Sequence, residues 1–408
     1  MLRTKWLSLP LPRRRLIVAI IAGLLVIAGV GVWALATPGE TAPTSAPSST
    51  TASAETPSAP PTPQTNRVTI SAMGDMLPHD AVNQAALQAD GTYDYTQFLT
   101  DIKPLIASSG IVFCNQEVAS AGASFGITGY PSFNAPEKFA QDLSTFGCNA
   151  INIATNHSND KGQAGIDGTR GVWDGLAPKL ISGANRSPEE QNTVTFTEVN
   201  GIKFALVSFA EYSNNALSND YSVNFYGNDA LVVSLLGQAR ANADVVLVSM
   251  HWGTEYSNGI NDNQRAAAAR VAELGADVII GTGPHVLEPV EWIPGANGKQ
   301  TLVWYSIGNL LSTQLELPQL IGGVAQFDAV KQPDGTVAIE TPSFVPTYMH
   351  YEWTAEQAAA QDLLARHNLH VFPLSAAADA LSRSLFGSTV EAQYEYVRSV
   401  LGPAVTVK

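Results

Sequence analysis

The stretch VTISAMGD at residues 68–75 is an apolar run that predicts a β-strand, and it ends in a carboxylate. Four later stretches share this layout, with potential metal ligands after a predicted strand: IVFCNQE at 111–117, INIATNH at 151–157, VVLVSMH at 245–251, and VIIG at 278–281 with His285 just beyond. Open α/β sheets bind ligands at the carboxyl ends of their strands. We therefore predict that five distant segments form one site at one sheet edge.

Strands and helices alternate from residue 67 onward, which predicts a layered α/β domain with parallel and antiparallel strands. This domain is expected to span residues 67–350 and to be followed by a mainly helical extension at residues 351–408. The predicted helices are residues 81–89, 94–107, 136–147, 162–180, 229–243 and 262–275. The further predicted strands are residues 193–199, 202–209, 301–307, 323–330 and 335–340.

The 408-residue chain has a formal net charge of −14, and this charge is unevenly distributed. Residues 1–36 hold five basic and no acidic residues, so the remainder carries 17 basic and 36 acidic residues, a net charge of −19. Nucleic-acid binding depends on the neutralisation of phosphates by basic side chains. The acidic body therefore argues against a nucleic acid as partner.

Residues 16–36 form an uncharged apolar segment of 21 residues, and a bilayer-spanning helix needs about 20. The basic tail of residues 1–15 ends in three arginines, which favours a cytoplasmic N-terminus and an extracytoplasmic body. A cleaved signal peptide is the alternative, but its apolar region usually has about 7–15 residues. We predict a single-pass anchor, followed at residues 37–66 by a disordered linker rich in Pro, Ser, Thr and Ala.

The two cysteines, Cys114 and Cys148, lie in or beside predicted core strands. They form no CxxC pair, so a zinc-finger site is excluded. Outside the cytoplasm they could form a disulfide. Two buried free thiols are an equally acceptable interpretation of the sequence.

Two carboxylates follow the first two predicted strands. Asp75 offers a hard oxygen ligand directly after Gly74, which is expected to let the backbone turn tightly. Asn115 and Glu117 lie two residues apart, so an extended backbone places both side chains on the same side. Taken alone, Gly74-Asp75 is more typical of a turn than of a ligand, and Asn115-x-Glu117 is more typical of surface polarity after a buried strand.

Histidines mark the ends of the later strands. In ATNHSND, Asn156 can ligate a metal, His157 can protonate a leaving group, and Asp160 can orient the imidazole or cap the next helix. His251 is a candidate ligand, and Glu255, four residues on, is a ligand or a partner of an imidazole. A serine hydrolase is not supported, since no GxSxG motif is present. Paired-carboxylate glycosidase chemistry would leave the histidines without a role.

The motifs GDMLPHD, NQE, ATNHSNDKG, HWGTEY, GTGPHVLEPVE and SIGNLLS occur in this order over residues 68 to about 312. Together they resemble the bacterial capsule-synthesis protein family, CapA-type, which is associated with poly-γ-glutamate. That resemblance implies a layered, mixed-sheet fold similar to the calcineurin-like metallophosphoesterases. It also implies a divalent metal cofactor (Mn, Fe or Zn) with one or two ions bound.

The resemblance implies a role for each matching residue. Asp75 and His285 resemble ligands of one metal. Glu117, together with Asn115, resembles the ligand that bridges two metals. Metallophosphoesterases usually have a histidine two residues after the first aspartate, where this chain has Leu77.

Asn156 and His251 resemble ligands of the second metal, and His157 resembles the acid that assists the leaving group. The last motif usually contains two histidines, and the first of these positions is Gly283 here.

Two hypotheses about function follow from the resemblance. The protein is either a metal-dependent hydrolase of the envelope or a non-catalytic subunit of a membrane synthase or exporter that holds an anionic polymer or its precursor.

Overall fold

A computed structural model describes residues 66–408 of the protein. The predicted tail at residues 1–15, the predicted anchor at residues 16–36 and nearly all of the predicted linker at residues 37–66 lie outside these residues and stay predictions. Within residues 66–408, a search for a bilayer-crossing helix finds none.

In the described part of the chain, fifteen strands form two mixed sheets, one of nine strands and one of six. The strands are β1 (Arg67–Met76), β2 (Ile111–Gln116), β3 (Ala150–Asn152), β4 (Leu180–Ser182), β5 (Thr195–Val199), β6 (Ile202–Ala210), β7 (Val245–His251), β8 (Val278–Thr282), β9 (Val290–Pro294), β10 (Gln300–Trp304), β11 (Asn309–Leu311), β12 (Ile321–Lys331), β13 (Val337–Glu352), β14 (His367–Pro373) and β15 (Thr406–Val407). The first sheet has the order β14-β13-β12-β1-β2-β3-β4, with β11 paired to β1 and β15 to β13. The second has the order β5-β6-β7-β8-β10-β9.

The helices flank these sheets. They are α1 (Asp80–Ala86), α2 (Lys103–Ile106), α3 (Glu137–Phe146), α4 (Gly162–Leu176), α5 (Pro188–Gln191), α6 (Asp229–Asn242), α7 (Asp262–Glu273), α8 (Ala355–Ala359), α9 (Ala378–Arg383) and α10 (Val390–Leu401). The single helix predicted at residues 94–107 is wrong. That segment holds only a 3-10 turn, Thr96–Phe98, and the short α2, because Pro104 lacks the N–H that a continuous helix needs.

Alternation along the strands of the second sheet divides its side chains between two hydrophobic cores. Phe204, Leu206 and Leu247 pack in the same core as the strands of the first sheet. The intervening Ala205 and Val207 pack in a second core with the buried faces of α6 and α7. This period of two is what a sheet covered on both faces requires. The result is an α/β fold in which two sheets share a central core.

The five predicted strands do not belong to one sheet, and this part of the prediction is wrong. β1, β2 and β3 are neighbours in the first sheet, whereas β7 and β8 are neighbours in the second. The backbone N–H of Gly283, which follows β8, lies 3.3 Å from both carboxylate oxygens of Asp75 at the end of β1. The carboxyl ends of the strands therefore meet between the two sheets.

The C-terminal segment at residues 351–408 contributes more than the predicted helices. Its strand β14 pairs antiparallel with β13 and extends the first sheet. The sequence HNLHVFP carries the signal, since Leu369 and Val371 alternate with less buried residues. Because this pattern is short and lies among alanine-rich helices, the strand was not predicted.

Cys114 and Cys148 are joined in a disulfide. Cys114 lies in β2, and Cys148 lies just before β3, which is the parallel neighbour of β2. Among the described residues no free cysteine remains. The bond therefore fixes two of the strands whose ends carry the predicted ligands.

A buried carboxyl, Glu288, should make stability depend on pH. It accepts a hydrogen bond from Gln264 of α7 at 2.6 Å, and burial raises its pKa from an ordinary 4.5 to about 8. Between those values the folded chain keeps a proton that the unfolded chain releases, so stability falls as pH rises through this window. We expect a loss on the order of 2–4 kcal/mol from pH 5 to pH 8 in urea unfolding.

The variant Glu288→Gln should remove most of this pH dependence, because the amide keeps the hydrogen bond and does not ionise. The matched control is Glu291→Gln, whose side chain is 38% exposed and only three residues away. That control should keep the wild-type pH profile. An unchanged slope in Glu288→Gln would assign the effect to another group.

Candidate metal centre

Asp75 is buried at the carboxyl end of β1. Its Oδ1 accepts a hydrogen bond from Asn115 Nδ2 at 2.7 Å, and its Oδ2 lies 3.0 Å from His285 Nδ1. Burial favours the neutral carboxyl, but the hydrogen bond and charge of His285 outweigh it and hold the pKa of Asp75 below its usual range. Asp75 is therefore an anionic ligand at neutral pH.

His285 is held in the loop after β8 with φ of +62°, a left-handed conformation that is uncommon for residues other than glycine. Its Nδ1 lies 3.0 Å from both Asp75 Oδ2 and Asn309 Oδ1. Burial opposes the imidazolium, but the charges of Glu117 and Asp75 raise the pKa of His285 to about 10. The proton on His285 thus offsets the buried charge of Asp75, and a metal that takes this ring as a ligand would displace that proton.

Glu117 is fully buried just beyond the end of β2, and neither of its carboxylate oxygens has a hydrogen-bond partner among the described residues. Oε1 lies 3.7 Å from His285 Nε2 and 4.0 Å from His251 Nε2. Burial raises the pKa of Glu117 well above its usual range; His285 lowers it, whereas the nearby Asp75 raises it further. Burial of polar atoms without partners is costly, so these two oxygens are expected to serve a ligand.

His251 and Asn156 form a second set of candidate ligand atoms near Glu117. His251 Nε2 lies 3.0 Å from Asn156 Oδ1, and its Nδ1 lies 3.0 Å from Thr282 Oγ1. Burial lowers the pKa of His251 to about 3, so the ring is neutral and can donate a lone pair. Glu117 Oε1 therefore lies within 4.0 Å of one imidazole from each of two pairs, Asp75–His285 and Asn156–His251.

His157 lies beside these groups and is paired with Asp160. Its Nδ1 is 2.7 Å from Asp160 Oδ2, and that oxygen also accepts the backbone N–H of Phe133 at 2.8 Å. The Phe133 ring packs edge-on against the imidazole at a centroid distance of 4.7 Å. Asn215 donates to the other carboxylate oxygen of Asp160 at 3.1 Å. Asp160 thus fixes the ring of His157 through one nitrogen.

Two predicted ligands, Asn115 and Glu255, are not positioned to act as ligands in the buried group. Asn115 has both amide atoms engaged, since its Nδ2 donates to Asp75 and its Oδ1 accepts from Asn152 at 2.5 Å. It therefore holds Asp75 in place. Glu255 is exposed at the mouth of the cleft and lies outside the buried group of Asp75, Glu117 and His285.

Three residues at the site were missed by sequence reasoning. Asn309 contacts His285 and faces Asp75 across the parallel pairing of β11 with β1. Asn152 supports Asn115, and Thr282 supports His251. The motif SIGNLLS carried a signal for Asn309, since a polar residue there follows the strand predicted at residues 301–307. Thr282 and Asn152 lie inside apolar strands and offer no such signal.

The buried donor set fits a divalent metal. Asp75, Glu117 and His285 each offer a ligand atom, and these atoms lie within 4.8 Å of one another. Carboxylates together with imidazole suit Mn, Fe or Zn. The unpartnered oxygens of Glu117 are what such an ion would satisfy. A second ion would share Glu117 and add only the amide of Asn156 and the ring of His251.

An open cleft of about 400 Å³ leads to this centre. Its walls include His157 and His285 on the inner side and Tyr130 and Tyr256 at the mouth. Both tyrosines are largely exposed, with 76% and 53% of their surface accessible. The centre is therefore reachable from solvent although its ligands are buried.

Comparisons with known proteins were made for the whole chain. The family described as bacterial capsule synthesis protein PGA_cap matches residues 69–314. The PGA biosynthesis protein CapA of Bacillus subtilis is 32% identical over 167 residues, which are 40% of this chain and 42% of that protein. The capsule biosynthesis protein CapA of Bacillus anthracis is 27% identical over 187 residues, 44% of each chain. The chain thus covers less than half the length of these two relatives.

Solved structures give more distant matches. Haemophilus influenzae NAD nucleotidase has a TM-score of 0.42 and 13% identity, covering 84% of this chain and 57% of that one. A putative 5′-nucleotidase from Staphylococcus aureus has a TM-score of 0.46 and 13% identity, covering 73% and 58%. At this distance neither structure assigns a function to the chain.

Proposed function

Because the chain belongs to the bacterial capsule synthesis protein family PGA_cap, we propose that it supports the synthesis, export or attachment of an anionic envelope polymer through a metal-dependent hydrolytic site. The names of the two Bacillus relatives support capsule and PGA biosynthesis as the process, and poly-γ-glutamate is the polymer expected from the sequence motifs. The order of these motifs also supports a fold of the metallophosphoesterase type.

The single observation that carries the proposal is the state of Glu117. A fully buried carboxylate with two unpartnered oxygens has no structural purpose that its neighbours reveal. Placed between His285 and His251, it is positioned to bridge two ligand sets. A hydrolytic site explains this arrangement, because a bound divalent metal supplies Lewis acidity for the attack of water on phosphorus or on a carbonyl carbon.

His157 and Asp160 would control the transfer of a proton to the leaving group. Asp160 engages Nδ1 of His157 at 2.7 Å, whereas the nearest side-chain partner of Nε2 is Asn214 Nδ2 at the longer distance of 3.4 Å, so Nε2 is the nitrogen proposed to face the leaving group. Phe133 packs on the ring and limits its rotation. His157 is therefore the proposed general acid, and Asp160 its positioning residue.

The test combines metal analysis with hydrolysis. The purified full chain should contain about one equivalent or more of a transition metal and should hydrolyse bis-p-nitrophenyl phosphate or a peptide amide. We expect His157→Gln to keep the metal and to lower kcat by about 10²–10⁴-fold on a peptide amide or an alkyl phosphoester, whose leaving groups need a proton, and far less on the p-nitrophenyl ester. The control His367→Gln changes a histidine that is 54% exposed and lies outside the cleft, and should behave as wild type. A metal-free chain with no hydrolysis would contradict the proposal.

The second candidate function is a non-catalytic subunit that binds polymer or a partner. The specific observation in its favour is the second set of ligand atoms, where only one imidazole and one amide accompany Glu117. Leu77 and Gly283 occupy the positions at which a metallophosphoesterase usually has further histidines. Metal binding without hydrolysis of any phosphoester or amide would favour this function.

The location of the body outside the cytoplasm is part of the proposal. The apolar segment at residues 16–36 and the arginines before it support a single-pass anchor in the cell membrane. The disulfide between Cys114 and Cys148 also supports an oxidising environment. The expected partners are the membrane, an anionic polymer or its precursor, and subunits of a synthase or exporter. The net charge of −19 beyond residue 36 argues against nucleic acid as a partner.

A further inference from the structure

A second cavity of about 430 Å³ adjoins the cleft at the metal centre. Leu315, Glu316 and Leu363 line both cavities, so the two are adjacent, and together they are called the groove. The groove starts at His157 and His285 and runs towards Leu385 and Phe386 in the C-terminal segment. This segment lies beyond residues 69–314, the part that matches the family.

The far part of the groove, from Leu315 and Leu363 to Leu385 and Phe386, is apolar and open to solvent. Leu315 is 47% exposed, Leu363 44% and Leu385 50%. Exposed leucines that line one continuous cavity mark a place where an apolar ligand can be buried. Because this part shares its walls with the metal centre, its occupant should be the remainder of the molecule whose reactive group lies at that centre.

A cation lies where the two parts meet. Arg366 lines the cleft, and its guanidinium lies 5.5 Å from the centroid of Tyr351 and 5.7 Å from that of Trp353, two rings that line the far part. Its Nε donates to the backbone carbonyl of Leu363 at 2.8 Å, and its Nη1 donates to that of Thr313. Within residues 66–408 its Nη2 has no hydrogen-bond acceptor, which leaves a charged donor for an anionic group.

We propose that the groove binds a hydrocarbon-tailed phosphoester, with the phosphate between Arg366 and the centre and the tail along Leu315, Leu363 and Phe386. This substrate class rests on the proposed hydrolytic function. In the reaction, water forms a new P–O bond and releases a proton to solvent, the ester P–O bond breaks, and the departing oxygen takes a proton from His157, which regains one from solvent. Free polyglutamate fits less well, because it has no hydrocarbon tail for the apolar far part and would bring a series of carboxylates past Glu255 and Glu316 at the rim.

The test uses the full chain with p-nitrophenyl phosphodiesters whose second ester group grows from methyl to hexyl, all below their micelle concentrations. Burial of each methylene should raise kcat/KM by up to about fourfold. Binding of methyl- to hexylphosphonate, measured by calorimetry, should strengthen in the same way without any hydrolysis. The variant Leu363→Gln should flatten both trends, and Leu385→Gln should flatten them for the longer chains.

Leu364→Gln is the matched control, since Leu364 is the next residue and is 53% exposed but lines neither cavity. It should keep the wild-type dependence on chain length. Hydrolysis and phosphonate binding that are independent of chain length, or a trend that survives in both groove variants, would overturn the proposal. Phosphonate binding that strengthens with chain length but without hydrolysis of any ester would keep the groove and contradict the hydrolytic function.

Discussion

Glu117→Gln is expected to abolish metal binding and, at the same time, to make the metal-free protein more stable. The reason is that Glu117 is buried with both oxygens unpartnered and its pKa is raised by burial, so folding costs free energy, either to bury the charge or to take up a proton, unless a cation is present. A neutral amide of the same shape removes this cost, and we expect a gain of about 1–3 kcal/mol in the free energy of unfolding. It also removes the ligand that lies between the two imidazoles. Loss of a residue that merely supports a ligand lowers metal affinity by about 10–100-fold, so loss of Glu117 should exceed this.

The measurement is urea unfolding of wild type and variant, each in the presence of a chelator and of Mn²⁺ or Zn²⁺. Wild type should be the less stable protein in chelator and should gain stability with metal, since binding to the folded state shifts the equilibrium. The variant should show no gain. Glu198→Gln, an exposed change on β5, is the control and should follow wild type in both conditions. A variant that is destabilised in chelator and still stabilised by metal would show that Glu117 is not a ligand.

The sequence predicts which residues carry the chemistry better than it predicts how they meet. Asp75, Asn156, His251 and His285 follow predicted strands, and the structure gathers them around Glu117. The motifs also predicted the capsule-synthesis family, which the match over residues 69–314 confirms. Local periodicity predicts a strand and its two faces. Periodicity does not show which strands pair, so the division of the five segments between two sheets could not be predicted from the sequence.

Residues that position other side chains of the site are difficult to identify from the sequence alone. Asn152 and Thr282 are fully buried inside their strands, and each hydrogen-bonds to a residue nearer the centre. A polar residue within an apolar run is commonly satisfied by packing neighbours, so pattern alone cannot assign it to a site. Arg366 is a similar case, because its place in the groove depends on β14 extending the first sheet. These contacts need the tertiary structure.

Gly74→Ala is expected to disrupt the fold and the metal centre together. The sequence suggested a tight turn at this glycine, but Gly74 lies within β1, and its role is a close approach of two backbones. A Cβ atom at this position would lie 1.8 Å from the carbonyl oxygen of Gly308, which precedes β11. That oxygen accepts the backbone N–H of Asp75 at 3.1 Å, so the strands cannot separate without moving Asp75. We expect a loss of about 3 kcal/mol or more, since the clashing atom is backbone and cannot rotate away.

The contrast with Gly171→Ala makes this prediction specific. Gly171 lies inside α4, and a Cβ atom there would meet nothing within 4 Å. Alanine should therefore stabilise the helix by about 0.5–1 kcal/mol through its higher helix propensity. Urea unfolding and metal content should be measured for both variants, with Gly74→Ala losing stability and metal and Gly171→Ala keeping its metal. If Gly74→Ala unfolds within 1 kcal/mol of wild type and binds metal normally, the contact between β1 and Gly308 cannot be what places Asp75 at the centre.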